Sequence, residues 1–133
     1  MNARTIAQVA LFAAEEKKAI DPLVLDIRRM SDIADFFVIA SGSSDRHVRT
    51  IAEAVMDSLR TRQLSPGHLE GLNQASWILV DYGTVMVHVF HRETRKFYSL
   101  ERLWGDAKFM TLKRKDEKPL KSTRRSSTSR RPY

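Results

Sequence analysis

Apolar positions along this chain switch between a helical period and a strand period, and the switches mark the elements. Ile6, Val9, Ala10 and Ala13 recur at helical spacing, which predicts an amphipathic helix over roughly residues 4–19. Asp21-Pro22 is expected to end it, because proline cannot continue a helix and restricts the residue before it. Leu23–Ile27 then reads as a short strand. Phe36–Ala40 reads as a second, more apolar and therefore central one. The short connection between them favours an antiparallel pair.

Ser41-Gly42-Ser43-Ser44 turns the chain, with Ser43 or Ser44 placed to cap the next helix and Asp45 suited to its first turn. That helix is the strongest local signal. Val48, Ile51, Ala52, Val55 and Leu59 share one face, opposite Arg49, Glu53, Asp57 and Arg60. Ser65-Pro66-Gly67 closes this region.

Ser76–Asp81 and Val85–Phe90 alternate as two strands around Gly83-Thr84. A two-residue turn there pairs Tyr82 with Val85 and Trp77 with Phe90. One face of the hairpin then carries Ile78, Val80, Tyr82, Val85, Val87 and Val89, as a face packed under helices should. The other carries Trp77, Leu79, Asp81, Met86, His88 and Phe90. A charge and a histidine are costly to bury unpaired, so this second face is expected against solvent or a partner. Phe97, Leu100 and Trp104 give a last short helix ended by Gly105. The expected fold is α/β (α+β): order α-β-β-α-β-β-α, a mixed four-stranded sheet with helices mainly on one face.

Composition changes this picture in one place. The net charge is +7, yet residues 111–133 hold nine Lys/Arg and two Asp/Glu, so they carry all of it. Residues 1–110 form the expected folded domain, and they are neutral. Residues 111–133 are expected to be a basic, disordered tail, since Lys, Arg, Ser, Thr and Pro cannot bury enough apolar surface to fold. High basicity therefore says nothing about the domain's own partner. The tail reads equally as a solubilising end or as a contact for ribonucleic acid phosphates, without the interleaved aromatics that stack bases. No run of about 18 apolar residues predicts a membrane span. Val9–Ala14 is too short for a secretory signal, and Glu15 and Glu16 count against a transit peptide. With no cysteine, there are no disulfides or thiolate metal sites, which suits a cytoplasmic protein.

Four groupings bear on chemistry. The Ser41–Ser44 turn with Arg46 and Arg49 offers free helix N–H groups to an anion, but lacks a glycine-rich phosphate fingerprint. Ser43, Asp45 and His47 are a local cluster rather than a triad. His47, His68, His88 and His91 show no metal-ligand spacing. Asp26 and Asp81 are the candidates for a metal-dependent nucleotidyltransferase-like enzyme, which normally needs a clustered carboxylate pair. The residues two further on, Arg28 and Gly83, supply no second carboxylate. The Trp77 face stands apart. Trp77 with Leu79, Met86 and Phe90 is either a binding centre or plain core under a loop or helix.

Asp35–Val48, Glu70-Gly71, Trp77–Gly83, Val87–Phe90 and Phe97–Trp104 together resemble the Iojap family of ribosomal silencing factors, in order and spacing, over roughly residues 4–107. The resemblance implies a non-enzymatic translation repressor that needs no cofactor. It would bind the large ribosomal subunit through its L-fourteen ribosomal protein, block joining of the small subunit, and lower translation under nutrient limitation. It implies a fold like a nucleotidyltransferase palm without catalytic residues. It places the contact at Trp77, Asp81 and His88, with Glu70 and Tyr82 as additions, and the hairpin pattern adds Leu79 and Met86 to the same site. Other expectations are a monomer or weak homodimer and a possible contact of the tail with ribosomal RNA. Thr84 departs from the family pattern, which often has Asp after the turn glycine.

Overall fold

The computed structural model describes residues 1–98 together with Lys108 and Phe109. Helix α1 spans Ala3–Glu16, and Asn2 opens it by accepting from the Thr5 N–H at 2.8 Å. The helix stops earlier than expected. Lys18 takes a left-handed conformation (φ 62°), which lets the Ala19 N–H donate back to the Ala14 carbonyl. Asp21-Pro22 is thus not the stop. It lies inside strand β1 (Ile20–Asp26), where pairing with β2 (Phe36–Gly42) shifts register between Ile20 and Leu23. Proline, lacking an N–H, is tolerated at such an irregularity.

Strand β2 is buried along its whole length, as a central strand should be. Helix α2 (Asp45–Arg60) follows, with the Ser44 side chain accepting from the His47 N–H. Its five apolar-face residues, Val48, Ile51, Ala52, Val55 and Leu59, are all buried. The larger side chains among them contribute about 1.5–3 kcal/mol each. Strands β3 (His68–Glu70), β4 (Trp77–Asp81) and β5 (Val85–His91) come next, then helix α3 (Arg92–Tyr98) and the two-residue β6 (Lys108–Phe109).

The fold is mixed α+β, but the sheet is larger than the four strands expected. Its order is β3-β4-β5-β2-β1-β6, with β2 and β5 parallel and the other pairs antiparallel. Strand β3 leaves no trace in the sequence pattern, because its three residues are all exposed and show no alternation. Two residues are too few for β6 to carry a pattern. Helix α3 begins at Arg92, directly after β5. Leu100, Trp104, Gly105 and the tail 111–133 lie outside the described residues.

Two apolar clusters sandwich the sheet. The larger packs α1 and α2 on Val24, Phe36, Val38, Ile78, Val80, Val85, Val87 and Val89. The other face gathers Leu23, Leu25, Ile27, Ala34, Phe37, Ile39 and Phe90, with Trp77 and Met86 partly buried at its margin. Arg95 of α3 is buried and donates to the Ile20 carbonyl and the Ser41 hydroxyl, which ties α3 to the ends of β1 and β2.

Candidate functional site: the far face of the β4–β5 hairpin

The hairpin register is the expected one. Trp77 pairs with Phe90 and Asp81 with Met86, while the Tyr82 N–H donates to the Val85 carbonyl. Gly83 supplies the positive φ (87°) that the tight turn requires. Asp81 steadies the turn by accepting from the Gly83 N–H at 2.7 Å. Side chains therefore alternate as read: Ile78, Val80, Val85, Val87 and Val89 enter the helix-side core, with Tyr82 packed against it.

On the far face, cross-strand pairing sets two rows. One runs Glu70, Leu79, His88, Ile39, Leu23 across β3, β4, β5, β2 and β1. The other runs His68, Asp81, Met86, Phe37, Leu25. Exposure falls along each row. His68 and Glu70 are exposed, Trp77, Leu79, Asp81 and Met86 are half-buried, and Phe37, Ile39, Leu23 and Leu25 are buried.

This gradient corrects the expectation that the whole face is open. His88 is only 5 % exposed, and Phe90 is fully buried. Burial of the histidine is made tolerable by its neighbours. Its Nδ1 accepts from the Trp77 indole N–H at 3.1 Å, and Phe37 meets the ring edge-on with centroids 4.6 Å apart. Because Nδ1 accepts, the proton of the neutral ring sits on Nε2, which has no hydrogen-bond partner among the described residues. Burial holds the imidazole neutral by pushing its pKa down to about 4, against a smaller upward pull from Asp81. Trp77 in turn packs on Phe90, with centroids 4.9 Å apart. The family resemblance sets Trp77 and His88 side by side as contacts. The structure makes His88 the buried support and Trp77 the half-exposed group it holds.

Tyr82 lies on the helix-side face that the hairpin register assigns it, away from Trp77. It packs against the helix-side core, and its buried hydroxyl has no hydrogen-bond partner among the described residues. Burial raises the phenol to about 12, partly opposed by Arg60. Glu70 does fall on the Trp77 face, where its carboxylate meets His68 Nε2 at 2.6 Å.

Two residues shape this face in roles that the sequence pattern does not assign to them. Arg49 of α2 reaches across to the Leu72 and Asn73 carbonyls, clamping the loop that leads into Trp77. In the same loop, Gly71 has φ +86°, and a side-chain carbon there would sit 2.0 Å from the Trp77 carbonyl oxygen. Only glycine fits that approach.

The other candidate groupings resolve differently. His47 accepts from the Ser43 N–H through Nδ1, so its Nε2–H donates to the Lys17 carbonyl at 2.8 Å. It latches the start of α2 to the end of α1, and Ser43 and Asp45 form no triad with it. Asp26 lies on the helix side with Val24, whereas Asp81 lies on the far side with Leu79. They are also three strand spacings apart, about 14 Å. Asp26 instead takes a two-pronged ion pair from Arg28, at 2.9 and 2.7 Å, which raises the arginine's pKa. The two aspartates cannot share an ion.

Comparison with known proteins places this geometry. The sequence matches the family described as "Ribosomal silencing factor during starvation" over residues 1–132. It is 42 % identical to the ribosomal silencing factor of Bacillus subtilis over 112 residues, which covers 84 % of this chain and 95 % of that protein. A mouse protein named "Mitochondrial assembly of ribosomal large subunit protein 1" is 32 % identical, covering 67 % of this chain and 40 % of its own length. A crystal structure of a Chromobacterium violaceum protein superposes with a TM-score of 0.77 at 32 % identity, covering 79 % of this chain and 88 % of that one. The fold is therefore shared with solved relatives, and the chain belongs to the Iojap-type family of ribosomal silencing factors.

Proposed function

We propose that this silencing factor acts by docking: it binds the large ribosomal subunit through the far face of its β4–β5 hairpin and blocks small-subunit joining. The observation that carries this reading is the half-exposed Trp77, oriented by a buried histidine beside Leu79 and Met86 and rimmed by Asp81 and Glu70. A rigid aromatic with a polar rim is the usual centre of a protein interface. The name of the mouse relative supports the large subunit as partner.

The partner protein on that subunit is its L-fourteen ribosomal protein, on the surface the small subunit must meet, and the outcome is lowered translation under nutrient limitation. Occupying a joining surface needs no chemistry, and a standard-size interface suffices. Trp77, Leu79, Asp81, Met86 and Glu70 make the contact. His88 acts through Trp77, and Tyr82 backs the face from the core side. The neutral residues 1–110 would do this without the basic tail, in the cytoplasm, as a monomer or weak homodimer.

Sedimentation of ribosomal subunits with added protein tests the proposal. Large subunits should carry the protein and fail to join small ones. Normal joining with the protein bound at saturation overturns the steric mechanism, and failure to bind large subunits overturns the partner.

A further inference from the structure

The β1–β2 loop, residues 27–35, is anchored by buried Ile27 and Ala34 and between them presents two large apolar side chains to solvent. Met30 is 38 % exposed and Ile33 is 57 % exposed. The loop has a defined shape. Ile27 accepts from the Met30 and Ser31 N–H groups, the Ser31 hydroxyl accepts from the Ile33 N–H, and the Ile27 N–H closes the base on the Asp35 carbonyl. Its apolar side chains are thus held out by a hydrogen-bonded turn.

The loop is continuous with the hairpin face. Its roots, Ile27 and Ala34, belong to the same cluster as Trp77 and Met86. Two residues beyond Ile33, the Asp35 and Phe36 N–H groups both donate to the Thr84 carbonyl at the hairpin turn, at 2.7 and 3.1 Å. Two residues span at most about 7 Å, so Ile33 stands close to that turn.

We infer that Met30 and Ile33 form a second apolar contact for the same protein partner that Trp77 engages, extending the docking face around the end of the sheet. This rests on the docking reading above. Charge selects a protein with apolar and basic groups over ribosomal RNA. With Arg28 and Asp26 neutralising each other as an ion pair, residues 27–35 leave Asp32 and Asp35 against Arg29. The adjoining face adds Asp81 and Glu70. A phosphate backbone approaching here would meet more carboxylates than cations, whereas a basic protein surface would be drawn to the rim. Among the described residues, neither side chain belongs to either apolar cluster of the sheet.

The test compares three full-length variants for binding to isolated large subunits. Met30→Gln/Ile33→Asn should melt like the unaltered chain, since both sites are exposed, yet bind about tenfold or more weakly. Arg29→Gln should bind within about twofold of the unaltered chain, because this arginine is not the anchor. Trp77→Ala serves as the reference. If the loop pair binds normally while Trp77→Ala is weakened, the loop contact is wrong and the docking face stands. If the loop pair is weakened and Trp77→Ala is not, the shared-face inference and the Trp77-centred reading both fail. A marked loss on Arg29→Gln, with a shallower salt dependence, would mean a phosphate contact and overturn the choice of a protein partner.

Discussion

Trp77 and His88 sit diagonally across neighbouring strands, and the indole N–H donates to the imidazole Nδ1 at 3.1 Å. The bond joins the half-exposed centre of the docking face to a group that is 5 % exposed. It therefore couples surface geometry to a buried, titratable residue, and this sets a pH prediction. His88 has a folded pKa of about 4, below its ordinary 6.5. Between those values the unfolded chain binds more protons than the folded one, so stability rises with pH across that window. The contribution is fully present above pH 6.5 and fades as pH falls toward 4, by on the order of 3 kcal/mol in total. His88→Gln keeps an acceptor but does not titrate. Urea midpoints of the two proteins should diverge across the window, the unaltered chain losing more stability. Parallel curves would show that His88 is not held neutral in the fold.

Replacing Trp77 separates its two roles. Trp77→Phe retains a ring against Phe90 but cannot donate to His88. Trp77→Ala removes both contacts. On the docking reading, Trp77→Ala should lose at least about 1–2 kcal/mol of affinity for the large subunit. Trp77→Phe should fall between it and the unaltered chain, since the bond it loses is worth about 1 kcal/mol. Pelleting with large subunits, with circular dichroism to confirm the fold, reads both. Unchanged affinity in a folded Trp77→Ala protein would remove this residue from the interface.

The hairpin is legible in the sequence because two local signals agree: period-two alternation on both sides, and a glycine where the turn needs positive φ. Helix α2 is legible for the same reason, a clean apolar stripe behind a serine cap. What the sequence hides depends on distant partners. His88 reads as polar and therefore exposed, and only the arrival of Ile39 and Phe37 on the parallel neighbour β2 buries it. Tyr82 lies at the strand end, where alternation alone assigns a face but not a burial. Strand β3 leads into a loop held by Arg49 and Gly71, and the bonds and close approach that shape this loop reach residues distant in sequence, which local periodicity does not record. Pro22 reads as a helix stop since proline breaks both helices and strands, and the choice between them lies in Lys18, which ends the helix first.

The charge division predicts the effect of truncation. Removing residues 111–133 takes away nine Lys/Arg and two Asp/Glu, and leaves a chain of zero net charge. If docking runs through the hairpin face, the truncated protein should keep most of its affinity for large subunits at physiological salt. The full chain should show the steeper salt dependence of the two, in proportion to any phosphates its tail neutralises. Loss of binding on truncation would move the interaction to the tail and make the hairpin proposal wrong.

Gly71 and Gly83 both have φ near +87°, yet they should respond very differently to alanine. At Gly83 the space around the missing side chain is open, so Gly83→Ala meets only the strain of a left-handed conformation, about 1–2 kcal/mol. At Gly71 the new carbon would lie 2.0 Å from the Trp77 carbonyl oxygen and 3.2 Å from the Ile78 Cα. Backbone must move, and the backbone in question begins β4. The Ala75 N–H bond to the Gly71 carbonyl and the Arg49 clamp on Leu72 and Asn73 both resist that movement. Gly71→Ala should therefore destabilise by well over about 2 kcal/mol and also displace Trp77 from His88. Chemical denaturation reads the first effect, and the Trp77 indole N–H resonance reads the second. A Gly71→Ala protein as stable as Gly83→Ala, with an unshifted indole signal, would show that the loop does not set the position of Trp77.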